Sequence, residues 1–178
     1  MNDSIMQPPN LGRLVQAIAP GHHRQGDGIH GLTHWGRVLE NGLRVAEVTG
    51  ADVAVVQLFA VFHDSRRIND RRDPGHGARG GKLARDMRAE WLDLTNEQMD
   101  LLEYACAHHT DGLTEADPTV QACWDADRLD LPRVRVTVKP HRLCTDAARA
   151  ADTIAWADQR ARAGHIPDFV SQWFPSPP

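Results

Sequence analysis

Residues 53–62 read Val-Ala-Val-Val-Gln-Leu-Phe-Ala-Val-Phe, apolar apart from Gln57, and the next two residues are His63 and Asp64. A helix built from this run has no polar face, so it belongs in the middle of a domain with other elements around it. A buried parallel strand is the rival reading. The run is longer than a usual strand, however, and nothing else in the chain resembles one. It is also too short to span a bilayer. Asp52 stands where an N-cap would open the helix. The difficulty lies at the other end. Two polar side chains closing a core helix lose on the order of several kcal/mol unless something satisfies them. A metal ion can do so, because it takes imidazole nitrogen and carboxylate oxygen directly. A histidine at the negative end of the helix dipole, beside a solvated aspartate, is the plain alternative.

The surrounding sequence is helical in period. Leu11, Leu14, Val15 and Ile18 share one face of a helix that Pro20-Gly21 ends. A Gly/His-rich loop covers residues 21–31. Trp35, Val38, Leu39, Gly42, Leu43 and Ala46 then form an amphipathic stripe, with His34 at its edge in the first turn and Gly50 as the stop. Residues 65–75 read as a polar surface loop. A polar helix follows over about 75–91. Thr95 and Gln98 have capping-box spacing before the next helix, which Gly112 ends. Asp117-Pro118 opens another, and it carries Trp124 and Asp127. The last helix is expected over about 143–163. The expected architecture is all-α, a compact bundle of about seven helices without a strand. Its divisions are a loose leader over 1–10, a helical domain over 11–164 and a tail with four prolines over 165–178.

Composition excludes several classes. A chain of 178 residues with net charge −4 has no broad basic footprint for nucleic acid and no polybasic membrane arm. Mean hydropathy is −0.47. No signal peptide is expected at the start, and Cys106, Cys123 and Cys144, without a CxxC pair, fit reduced thiols in a cytoplasm. Ten histidines are present, several at element ends beside Asp or Gly.

Four of these positions come in a telling order: His34, then His63-Asp64, then Asp127 within Trp124-Asp125-Ala126-Asp127-Arg128-Leu129-Asp130. This order resembles the HD superfamily of metal-dependent phosphohydrolases, over about residues 30–135. The resemblance implies an HD-type helical domain with His34, His63, Asp64 and Asp127 as ligands of a divalent ion. Two further segments, His76-Gly77-Ala78-Arg79-Gly80-Gly81 and His108-His109-Thr110-Asp111-Gly112, look like the extra histidines of its dinuclear branch. That branch includes HD-GYP cyclic dinucleotide phosphodiesterases and bacterial hydrolases of diadenosine tetraphosphate. The pattern would place a second ion on His76 and His109 with Asp64 bridging, and His108 as an adjacent ligand or general acid. Leu113 follows Gly112 and no Gly-Tyr-Pro occurs, which speaks against a cyclic di-GMP substrate.

The expected chemistry is hydrolysis of a phosphoester or phosphoanhydride, such as a nucleotide, by metal-activated water, with one or two ions of Mn, Fe, Co, Ni or Mg. Asp64 or His108 would move protons. Arg66 and Arg67, next to the HD pair, are candidates for phosphate on the rim, as are Arg37, Arg128 and Lys82. His30 could reach the site four residues before His34. His22, His23, His141 and His165 are expected at the surface. Asp125 and Asp130 are expected to cap or to pair with arginines. Two rivals stay open. One is a mixed-valent diiron oxygenase of the same fold, whose four-His, two-Asp count these residues match. The other is a non-catalytic domain that binds a nucleotide. Oligomeric state is not readable.

Overall fold

A computed structural model describes residues 8–25 and 28–174. Among these the chain forms eight α-helices, α1 (Pro8–Ile18), α2 (Leu32–Thr49), α3 (Val53–Phe62), α4 (His76–Trp91), α5 (Asn96–His108), α6 (Pro118–Arg128), α7 (Asp146–Arg149) and α8 (Ala151–Arg162), with short 3-10 turns and no strand. Among the described residues no helix is long and apolar enough to cross a membrane.

Local chemistry sets most boundaries. Asp52 accepts the Val55 N–H and opens α3. Thr95 and Gln98 close a complete capping box on α5. Asp117 accepts the Thr119 N–H ahead of Pro118 in α6. Gly50, at φ 70°, ends α2. As the apolar run predicts, α3 is the central helix. Every residue from Val55 to Phe62 is buried, and α2, α4, α5 and α6 all pack against it.

Helix α4 comes unusually close to its neighbours. A Cβ on Gly77 would lie 2.0 Å from the carbonyl oxygen of Cys106 in α5, and one on Gly80 would lie 2.1 Å from that of Phe62 in α3. Only hydrogen fits at these two positions. Two indoles tie the bundle together. Trp35 Nε1–H donates to the His30 carbonyl at 2.8 Å, and Trp124 Nε1–H to the Ala105 carbonyl at 3.0 Å. Cys106, Cys123 and Cys144 are buried free thiols.

Several sequence expectations are corrected. Of the leader 1–10, residues 8–10 belong to α1 and residues 1–7 lie outside the described residues. The single helix over 143–163 is two helices, because Ala150 is extended at ψ 133°. The buried Asp125 carboxylate accepts the backbone N–H groups of Cys144 and Thr145 and the Thr145 hydroxyl, which keeps residues 143–145 out of the helix. The proline-rich tail is partly core: Val170 and Trp173 are buried in a 3-10 turn, Asp168–Trp173, that packs on α1 and α2. Its last residues, 175–178, lie outside the described residues. The loop over 65–75 is not wholly at the surface, since Ser65, Arg67 and Asp73 are buried. His22 is buried as well, its ring edge-on to Trp35.

Candidate metal centre

Five helices deliver six side chains to one buried point. His34 comes from the first turn of α2, and His63 and Asp64 from the end of α3. His76 opens α4, His109 caps α5 and Asp127 sits near the end of α6. Four of the rings face the same way for a reason that can be traced atom by atom. The Nδ1–H of His63 donates to the Phe59 and Ala60 carbonyls, both at 3.1 Å. That of His109 donates to the Cys106 carbonyl at 2.7 Å, and that of His76 to the Asp73 carbonyl. A carbonyl can only accept, so in these three rings Nδ1 carries the proton. His34 Nδ1–H donates to the Asp130 carboxylate at 2.7 Å. The Nε2 atoms therefore turn inward, as they do in histidines held for metal ligation.

The inward atoms form two halves. In the first, His34 Nε2 is 3.2 Å from His63 Nε2, 3.4 Å from Asp127 Oδ1 and 3.6 Å from Asp64 Oδ2. In the second, His76 Nε2 is 3.0 Å from both His109 Nε2 and Asp64 Oδ1. Asp64 thus offers one oxygen to each half. Ligands bonded at roughly 2.1 Å stand about 3.0 Å apart around an octahedral ion and about 3.4 Å apart around a tetrahedral one. The observed separations fit such an ion. Facing lone pairs at these distances repel unless a proton or a metal ion lies between them.

The electrostatics point the same way. Burial works against charge on His63 and lowers it to about 3, leaving a neutral ring. Burial also opposes charge on His34, as does Arg133. The carboxylates of Asp127, Asp130 and Asp64 outweigh both and raise it to about 9. His109 is raised despite burial, chiefly by its hydrogen bonding to Asp64. Asp64 and Asp127 lie below the usual carboxylate range despite burial, held there by the surrounding imidazoles. Two anionic carboxylates among four buried rings favour positive charge at this point, which a protonated His34 supplies on its own and which a divalent ion could supply in its place.

Asp130 anchors the first half. Arg37 grips both its oxygens, Nε on Oδ1 at 2.7 Å and Nη2 on Oδ2 at 3.1 Å, and Oδ2 also orients His34. Removing such an outer partner weakens metal binding about 10- to 100-fold. Asp130→Asn is therefore expected to weaken one bound equivalent to that extent and spare the other. Metal titration would read this, and unchanged affinity for both would contradict the role.

The other expected site residues divide. His30 is at the site, with Nδ1 2.7 Å from Asp64 Oδ2, and Arg67 is too. Arg37 is not free for substrate, because Asp130 and the His165 carbonyl occupy it. Arg66 turns away from the site. Its Nη1 donates to the Ile18 carbonyl at the end of α1 and to the Ser65 carbonyl. Lys82 is exposed and pairs with Asp86. Arg128 is spent on the Leu113 and Arg142 carbonyls. His108 lies outside the cluster, paired with Asp111 at 2.7 Å and tilted against Tyr104. One turn of helix points neighbouring residues in different directions, so only one of the His108-His109 pair can face inward.

Asp130 as the anchor of His34, and Arg133 on the Ile29 and Asp130 carbonyls, were not expected. A spacing signal exists for the first: Arg37 and Asp130 each lie three residues after a candidate ligand, Arg37 on the same face of α2 as His34. Among the six candidate ligands, Asp127 is the most accessible, its side chain 16 % exposed against at most 4 % for the rest, and His30, on Asp64 Oδ2, is 14 % exposed. These two are the most exposed side chains of the cluster. No family model, curated protein or solved structure matches the chain.

Proposed function

We propose that this protein is a metal-dependent phosphohydrolase of the HD type, acting on a phosphoester or phosphoanhydride of a small molecule, with nucleotides the first substrates to test. The observation that carries this reading is Asp64, whose two oxygens serve two adjoining sets of inward imidazoles. Divalent ions held there supply an acidified water and a counter-charge for phosphoryl oxygens. The protein's own groups do the rest. The carbonyls of Phe59, Cys106 and Asp73 and the Asp130 carboxylate lock the ring orientations. Substrate enters at the His30 and Asp127 edge. Among the described residues Arg67 is the one arginine that hydrogen-bonds the candidate ligands, and once displaced from them it can meet an anionic oxygen.

The test is hydrolysis of a nucleotide panel by metal-stripped protein given Mn, Co, Ni or Mg in turn. Activity should require the metal and fall at least about 1000-fold in His63→Ala and in Asp64→Ala, the scale expected when a residue of a catalytic unit is removed. Full activity in both variants would end the proposal. The same six ligands also match the count of a diiron oxygenase. Iron as the native metal, with no hydrolysis of any phosphate ester, would favour that alternative.

A further inference from the structure

Arg67 follows the His63-Asp64 pair and folds back beneath it, its side chain only 7 % exposed. Nε donates to the Asn69 carbonyl at 3.2 Å, and Nη2 to the Arg71 carbonyl at 2.7 Å. Nη1 donates to His76 Nε2 at 3.1 Å and to Asp64 Oδ1 at 3.3 Å. Those last two atoms are two of the three that define the second half of the metal centre. Among the described residues the first half has no guanidinium on its inward atoms: His30 Nδ1 lies 2.7 Å from Asp64 Oδ2, and Arg37 and Arg133 come no nearer than Asp130 and, for Arg133, His30.

A guanidinium is a permanent cation. Placed on His76 Nε2 and Asp64 Oδ1, it takes the lone pairs a second ion would use. An ion on the same atoms would also face that charge within about 4 Å, where like charges repel strongly in a buried setting. The two cannot share the position.

We propose that Arg67 is an internal competitor for the second metal, so that guanidinium and ion alternate on His76 and Asp64 and the two ions bind with very different affinities. This rests on the metal-centre reading but not on the hydrolase reading. The short segment carrying Arg67 is built to hold it in the inward position. Asn69 and Arg71 supply its acceptors, while buried Asp73 pins the segment by accepting the Ile68 N–H and pairing with Arg79. When a second ion enters, Arg67 is displaced and its donors become available to an anionic oxygen.

Calorimetric titration of Mn²⁺ or Co²⁺ into the metal-stripped full chain tests this. Wild type should show two affinities at least about 100-fold apart, the weaker being the half that Arg67 occupies. Arg67→Met should tighten the weaker one at least about tenfold and leave the tighter one unchanged. Arg67→Lys, which keeps the charge but cannot hold both carbonyls, should fall between them and serves if the methionine variant does not fold. Two ions bound with affinities indifferent to both substitutions, or a second ion that binds more weakly in them, would overturn the proposal alone. No metal binding by any of the three proteins would overturn the metal-centre reading with it.

Discussion

Asp64→Ala is expected to abolish tight metal binding in both halves of the centre at once. Wild-type protein at saturating metal should carry about two divalent equivalents per chain, since the geometry offers two ligand sets. His76→Ala removes a ligand from one set only and should lower the content to about one. Asp64 is different, because each half uses one of its oxygens. Without it the second half keeps only His76 and His109, and the first keeps His34, His63 and Asp127. The same loss should appear in stability. A ligand present at 1,000 times its Kd stabilises the folded state by about 4 kcal/mol. For a chain of this size that is on the order of 10 °C in Tm. A chelator should lower the wild-type melting temperature by about that much and leave Asp64→Ala unmoved. Metal analysis with melting curves with and without chelator would check both, and two equivalents retained in Asp64→Ala would refute the shared role.

The second large effect involves no ligand. Gly80→Ala places a methyl 2.1 Å from the Phe62 carbonyl oxygen and 3.1 Å from its carbon, and Gly77→Ala places one 2.0 Å from the Cys106 carbonyl oxygen. Both obstacles are backbone, at the ends of the two helices that carry His63 and His109, so no side chain can rotate aside. Each substitution should destabilise the fold by about 3 kcal/mol, the upper range for overpacking. It should also tilt α4 outward and release the ion that depends on His76. The exposed Ala78, between them on the same helix, is the control. Ala78→Gly should lose only about 1 kcal/mol through helix propensity and keep both ions. Denaturant unfolding together with metal content distinguishes the two, and a Gly80→Ala variant as stable as wild type would contradict the close packing of α4.

What the sequence discloses, and what it hides, follows the range of each interaction. The caps at Asp52, Thr95 and Asp117 are contacts over two or three residues, so their residue types announce them. The central position of α3 is legible because an all-apolar helix has nowhere else to go, and the ligand order stands out for the same reason: polar groups at the ends of buried helices need an explanation. Long side chains are another matter. Arg37, Arg66 and Arg128 look alike in sequence, yet one holds a carboxylate across the bundle and the others hold backbone carbonyls far along the chain. The late start of the last helical region carries no glycine or proline to mark it, because residues 144 and 145 are held by Asp125, a carboxylate on another helix. Trp173 is buried by packing on α1, at the opposite end of the chain.

The two halves of the centre hang on different parts of the bundle. His34, His63 and Asp127 belong to α2, α3 and α6, which pack on one another, whereas His76 and His109 belong to the α4–α5 hairpin. Such a hairpin can open as a cooperative unit while the rest of the molecule stays folded. Amide hydrogens of α4 and α5 should then exchange ahead of those in α3, and an ion in the second half would slow that exchange selectively, acting as a clasp on one piece of the molecule.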